Sequence, residues 1–118
     1  MKIPGPDHPI TVEKANTRVA VRAGGRLVAD TTTALRLDEA ELPPVYYVPL
    51  EDVDRSALQP SDHHTYCPYK GDASYYDIVD DSGRITNAIW TYEQPYDAVQ
   101  EIAGHVAFYR HLVEITVE

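Results

Sequence analysis

The chain has 118 residues, enough for a single domain, spanning 1–118, that buries its own core without disulfides or a metal. Ten Lys and Arg against nineteen Asp and Glu give a formal charge of −9, which repels a phosphate backbone and makes nucleic acid a poor partner. The single cysteine cannot form an internal disulfide, and the sequence has neither a signal-peptide core nor the ~20 apolar residues that cross a bilayer. We therefore expect a soluble cytoplasmic protein that does not associate with membranes.

The first part of the chain predicts an arm followed by a hairpin. Residues 1–9 hold three of the nine prolines and should form an extended N-terminal arm. Apolar and polar residues then alternate, as in strands, over 10–13, 18–23 and 26–30. Gly24 and Gly25 suit a two-residue hairpin loop, which would place Val21 opposite Val28.

The middle of the chain mixes short elements with prolines. Residues 31–37 either extend the preceding strand or begin another, and the polar segment 38–41 is helix-like but too short to stand alone before the prolines that follow it. Residues 45–48 predict a strand, 51–58 one or two helical turns, and 59–62 a loop.

The last part of the chain carries the strongest signals. Residues 73–79 and 84–92 predict a hairpin around the loop 80–83. Proline and aspartate before an apolar stripe predict one short helix near residues 96–103, and two closing strands follow, the second burying Val117. Many short strands with regular turn signals predict a mainly β fold: a compact antiparallel tent-like or barrel-like single domain with one short helix.

The candidate site lies at the only thiol. Pro68 pushes Cys67 into an extended conformation, and Gly71 permits a backbone conformation closed to other residues. A strand that ends at Cys67 should therefore turn at 68–71, and such a corner presents side chains to a cleft. Here the ammonium of Lys70 would favour a reactive thiolate at Cys67. The competing interpretations are a packed, inert cysteine and a lysine on the surface of a turn.

Aromatic side chains would complete this site. The chain has nine Tyr, one Trp and one Phe. Tyrosine side chains suit partly solvent-exposed positions such as pocket walls and interfaces, because the ring is apolar and the hydroxyl needs a hydrogen-bond partner. We predict a site for a small polar or anionic ligand, in which Cys67 and Lys70 are the candidate catalytic residues. The candidate ligand-binding residues are Tyr47, Tyr69, Trp90 and Tyr92. No cofactor is expected, and whether the protein is an enzyme stays open.

The same tyrosines allow a different function. Tyr46 and Tyr47 are neighbours, as are Tyr75 and Tyr76, so one member of each pair should face away from the core side of its strand. The alternative function is therefore a protein-interaction or homo-oligomeric assembly module that uses tyrosine-rich edge strands.

Histidines offer weaker candidates. His63 and His64 could join Cys67 at a metal, but adjacent strand residues point to opposite faces and no Cys-x-x-Cys pair exists, so no metal site is expected. His105 could act as a distant base, although a histidine just past a helix is also explained by contacts with the last carbonyls.

Several motifs together suggest a family. The core motif is Cys67-Pro68-Tyr69-Lys70-Gly71, and it is accompanied by Tyr47-Val48-Pro49, Ala88-Ile89-Trp90-Thr91-Tyr92 and Ala107-Phe108-Tyr109. With these motifs the chain resembles, over nearly its whole length, the bacterial family called domain of unknown function 427. The resemblance implies a compact, tent-like β fold of the kind also seen in some zinc-binding relatives and in methionine sulfoxide reductases.

The resemblance implies no mechanism. The family carries a nucleotidyltransferase-style label without established catalytic residues, and this sequence has no Gly-rich phosphate cradle and no paired-aspartate signature for magnesium. Ligand binding near Cys67 and Lys70 is therefore preferred to a nucleotidyltransferase or a thiol-dependent enzyme.

Overall fold

A computed structural model describes residues 1–81 and 83–118 as two antiparallel sheets. The ten strands are β1 (Ile10–Lys14), β2 (Val19–Ala23), β3 (Arg26–Thr31), β4 (Leu35–Glu39), β5 (Val45–Pro49), β6 (Leu58–Cys67), β7 (Gly71–Asp80), β8 (Gly83–Thr91), β9 (His105–Phe108) and β10 (Glu114–Val117). Three 3-10 helices span Leu50–Asp52, Arg55–Ala57 and Asp97–Ile102. The predicted mainly β fold with one short helix near 96–103 is confirmed, and the sheets do not close into a barrel.

The larger sheet has strand order β1-β4-β5-β9-β8-β7-β6, and the smaller one has order β10-β2-β3. Both faces of the larger sheet are covered, because consecutive strand residues join different clusters of buried side chains. Val48 packs in a cluster with Val19 and Val21 of the smaller sheet, whereas its neighbour Tyr47 packs in a second cluster with Ile102 of the 3-10 helix. One face therefore holds the core between the sheets, and the other holds an aromatic cluster under the helix.

The hairpin of β7 and β8 contains an irregularity that the sequence pattern hides. Tyr76 pairs with Ile89 and Ile78 pairs with Ile85, so one residue of β7, Asp77, lies opposite three residues of β8. The extra residues bulge out at Asn87, which has a positive φ of 52°. Ser82, in the predicted loop 80–83, lies outside the described residues.

Three local expectations are wrong. A bulge in the first hairpin places Val21 opposite Ala29 instead of Val28. The segment 38–41 is not helical, because Asp38 and Glu39 continue β4 and pair with β1 before the chain reverses at Ala40. The predicted loop 59–62 is part of β6, an edge strand where proline is tolerated and pairing with β7 is interrupted.

Two burial expectations also fail. Val117 is 39% exposed, because β10 is an edge strand of the smaller sheet. The tyrosine pairs do not place one member away from a core, since both faces of the larger sheet are packed: Tyr46 and Tyr76 lie against the core between the sheets, and Tyr47 and Tyr75 lie in the aromatic cluster.

Candidate functional site

A tight turn joins β6 to β7 and presents Lys70. The amide of Lys70 donates to the carbonyl of Cys67 at 3.2 Å, and its own carbonyl accepts from the amide of Tyr96 at 2.9 Å. Gly71 has a φ of +112°, a conformation that other residues rarely adopt, which explains the glycine after the lysine. The backbone around Lys70 is therefore fixed from both sides.

The ammonium of Lys70 is buried in an ion pair. Only 10% of its side chain is exposed, and it donates to Oε1 of Glu39, whose side chain is 12% exposed. The interpretation of Lys70 as a surface lysine is therefore wrong. The ammonium also lies 5.9 Å from the ring centroid of Tyr92, within the range of a cation–π contact.

The second oxygen of Glu39 has its own partner. Nε2 of His8 donates to Oε2 of Glu39 at 2.7 Å, so that one carboxylate joins the arm to the turn. Burial alone would raise the pKa of Glu39, but the hydrogen bonds from Lys70 and His8 outweigh it and hold that pKa below its usual value. Glu39 is therefore ionised at neutral pH and balances the charge of Lys70.

A cavity of about 210 Å³ opens beside this ion pair. Its wall is mostly aromatic and is made by Leu37, Glu39, Val45, Tyr47, Lys70, Tyr75, Trp90, Tyr92 and Tyr109. The indole of Trp90 donates to the hydroxyl of Tyr47 at 3.2 Å, and its ring lies 4.5 Å from that of Tyr109. The cavity is thus an aromatic hollow with a single buried ion pair in its wall.

Three phenols of this wall, those of Tyr47, Tyr92 and Tyr109, stay neutral. Burial raises the pKa of Tyr47 and of Tyr92 well above the usual phenol range, and burial together with a hydrogen bond to Tyr75 raises the pKa of Tyr109 to about 12. The hydroxyl of Tyr75 lies 2.9 Å from Oγ1 of Thr65 and 3.4 Å from the hydroxyl of Tyr109. The phenols of Tyr47, Tyr92 and Tyr109 can donate or accept hydrogen bonds, but they do not serve as bases near neutral pH.

A family model described as a domain of unknown function, DUF427, matches residues 11–118. The chain belongs to this family. The resemblance that the motifs indicated is thereby confirmed, and no curated protein matches the chain. In the part of this DUF427 domain that the structure describes, no helix has both the length and the apolar character needed to cross a bilayer.

The structure brings four of the six predicted site residues of the DUF427 domain into one wall, namely Lys70, Tyr47, Trp90 and Tyr92. Cys67 is half-buried against the aromatic cluster, outside the wall of the cavity. Tyr69 is also outside the cavity, where its ring stacks on that of His8. The lysine and three of the aromatic residues therefore line one cavity, and the thiol lies outside its wall.

The other histidines take separate places. The ring of His63 contacts the edge of Tyr75 at 4.5 Å, while Nδ1 of His105 lies 2.9 Å from the carbonyl of Ala103 at the end of the 3-10 helix. Within residues 1–81 and 83–118 no group of three or more His, Cys, Asp or Glu side chains is arranged to hold a metal ion.

Sequence reasoning missed Glu39 and His8, the two residues that set the charge of the site. Glu39 was assigned to a helix-like segment, although the alternation of Leu35, Leu37 and Glu39 along one strand face was a usable signal. No local pattern marks His8, which lies before the residues that the DUF427 model matches.

A larger groove of about 790 Å³ lies next to the cavity. Its wall includes Val45, Trp90 and Tyr109, which also line the cavity, together with side chains of the segment 110–117. Trp90 and Tyr109 therefore form a partition between the two hollows.

The depressed pKa of Glu39 predicts a loss of stability in acid. Because the unfolded chain takes up this proton first, the stabilisation from Glu39 is present above its unfolded-state pKa, about 4.3, and is lost as the pH falls below it. We expect the urea midpoint of the wild-type domain to fall between about pH 5.5 and 3.5, and that of Glu39→Gln to fall less. An equal fall in both proteins would contradict this assignment.

Proposed function

We propose that this DUF427 domain binds a small polar or anionic molecule in the aromatic cavity, with the ammonium of Lys70 as the counter-charge. The observation that carries the proposal is the burial of Lys70 in the wall of a hollow in which five of the nine lining residues are aromatic. The site is proposed for binding, without an assigned reaction.

Burial of the Lys70–Glu39 pair is not explained by stability alone. The cost of removing two charges from water usually cancels their mutual attraction, so a buried ion pair adds little net stability compared with apolar residues of the same size. Among residues 1–81 and 83–118, Glu39 is the one hydrogen-bond acceptor of the Lys70 ammonium, which has three donors. Lys70 can therefore donate to a ligand while it keeps its hydrogen bond to Glu39.

The size and walls of the cavity limit the ligand. Its volume of about 210 Å³ is below the roughly 300–1,000 Å³ of sites for drug-sized molecules, which favours an occupant of about one ring or a short chain. Aromatic faces suit an apolar or planar body, and the neutral phenols supply hydrogen bonds to a polar group.

Two other functions have less support. Cys67 lies outside the cavity wall, which gives no support to thiol chemistry on a ligand held there. The tyrosine-rich strands are β5 and β7, and both are paired on each side within the larger sheet, so they are not edge strands available for assembly.

Benzoate is a suitable probe, because it has one ring and one carboxylate, and benzamide is its neutral isostere. Trp90, the only tryptophan in the chain, lines the cavity and reports binding by its fluorescence. We expect the wild-type domain to bind benzoate about tenfold more tightly than benzamide, since a charge-assisted hydrogen bond to Lys70 contributes about 1.5 kcal/mol more.

The charge-free double variant Lys70→Met/Glu39→Leu should bind the two probes equally. Lys14→Met serves as the matched control, because Lys14 is an exposed lysine at the end of β1. The proposal is wrong if neither probe changes the Trp90 fluorescence, or if the double variant keeps the preference for benzoate.

A further inference from the structure

The N-terminal arm, residues 1–9, is held against the turn that carries Lys70. The amide of Lys2 donates to the carbonyl of Pro68 at 2.7 Å, and the amide of His8 donates to the carbonyl of Gly5 at 2.9 Å to close a turn within the arm. The ring of His8 stacks on that of Tyr69, with centroids 4.0 Å apart and planes 7° apart. The position of the imidazole is therefore fixed.

His8 and Lys70 share one carboxylate. His8 donates to one oxygen of Glu39 at 2.7 Å, and Lys70 donates to the other. Ile10, two residues after His8, pairs with Glu39 in the β1–β4 ladder, which ties the arm to the strand that carries the carboxylate. Three ionisable groups from three segments thus meet, and two of them, Glu39 and Lys70, line the cavity.

The charge of this trio depends on whether the imidazole of His8 carries one proton or two. Lys70 and Glu39 cancel, so the trio is neutral when His8 is neutral and carries a charge of +1 when His8 is protonated. The charged groups that face His8 are Glu39 and, through it, Lys70. On the arm itself, Asp7 is adjacent and Lys2 lies 5.8 Å from the centroid of the Tyr69 ring.

We propose that protonation of His8 tightens the binding of small anions at Lys70, which makes the cavity a pH-dependent anion site. This inference rests on the proposed function and adds its regulation. The negative charge of Glu39 repels a bound anion and offsets the charge of Lys70, and a protonated His8 neutralises that carboxylate in turn. The ligand class that responds is a small monocarboxylate; its neutral amide does not.

The benzoate dissociation constant of the full chain should fall about five- to tenfold between about pH 8 and pH 5.5, as in other couplings between two sites. Benzoate remains ionised over this range, so the change reports the protein. Binding is followed by the fluorescence of Trp90, and benzamide should show no dependence on pH.

Substitution of His8 tests whether its protonation causes the pH dependence. In His8→Gln the benzoate affinity should no longer depend on pH and should match the wild-type value at high pH. His63→Gln and His111→Gln are the matched controls, because these rings contact the cavity residues Tyr75 and Tyr109. Both controls should keep the wild-type pH dependence.

A second variant separates titration from the anchoring of the arm. His8→Phe keeps a ring to stack on Tyr69 but cannot be protonated, so it should behave as His8→Gln does. The inference is overturned if wild-type affinity for benzoate is independent of pH, or if either His8 variant keeps the wild-type pH dependence. If the benzoate affinity depends on Lys70 but not on pH, the proposed function stands and only the pH inference is wrong. If the loss of Lys70 leaves the benzoate affinity unchanged, both the proposed function and the pH inference are wrong.

Discussion

Substitution of Glu39 by leucine should lower the free energy of unfolding by about 2 to 4 kcal/mol, because it leaves the ammonium of Lys70 buried without a counter-charge. This loss is slightly smaller than the loss expected when one partner of a fully buried ion pair is removed, because 10% of the Lys70 side chain is exposed to solvent. Urea unfolding followed by the fluorescence of Trp90 measures the change.

The double variant Lys70→Met/Glu39→Leu should recover most of this loss and lie within about 1 kcal/mol of the wild-type domain, because two apolar side chains replace both charges. The double-mutant cycle then gives a coupling of about 2 kcal/mol or more between the two positions. Arg36→Met/Asp38→Leu is the matched control, since that ion pair is exposed on the same strand and should couple by less than about 1 kcal/mol. A coupling at Glu39 and Lys70 no larger than that of the control would show that their pair is effectively solvated.

Much of the site could be predicted from the sequence because its backbone is encoded locally. Pro68 and Gly71 bound a turn whose conformation few other residues accept, and that turn directs Lys70. Trp90 and Tyr92 are two residues apart near the end of the predicted strand 84–92, a spacing that puts them on one face, and both line the cavity. Local residue types therefore indicated the turn at 68–71 and part of the cavity wall.

The charge partners could not be predicted in the same way, because they arrive from distant segments. Glu39 is 31 residues from Lys70 and reaches it through the pairing of β4 with β1 and β5. His8 reaches the same carboxylate from an arm without strand periodicity. With nineteen acidic residues in the chain, only the sheet topology selects Glu39.

The two faces of the larger sheet differ in composition, and the cavity proposed for a ligand lies on only one of them. The core between the sheets is aliphatic at its centre, with fully buried Ile89, Val48 and Val106, each of which contributes about 1.5 to 3 kcal/mol of apolar burial. The opposite face is aromatic and contains the cavity. Substitutions in the cavity wall can therefore leave the aliphatic core between the sheets unchanged.

Substitution of Asp77 should also destabilise the domain, because this buried carboxylate holds the bulge of the β7–β8 hairpin. Oδ1 of Asp77 accepts from the amide of Asn87 at 2.8 Å, and Oδ2 accepts from Arg84 at 2.7 Å. In Asp77→Ala the amide at the bulge loses its acceptor, which should lower the free energy of unfolding by about 2 to 3 kcal/mol.

The matched variants separate the backbone contact from the ion pair of Asp77. Arg84→Ala removes only a half-exposed partner and should cost less than about 1 kcal/mol, while Asp77→Asn keeps an oxygen for the amide of Asn87 and should lie between the two. Because the bulge sets the register of Ile89 and Trp90 along β8, Asp77→Ala should also shift the emission of Trp90 in the folded domain. Equal losses in Asp77→Ala and Arg84→Ala would place the stabilisation in the ion pair and not in the bulge.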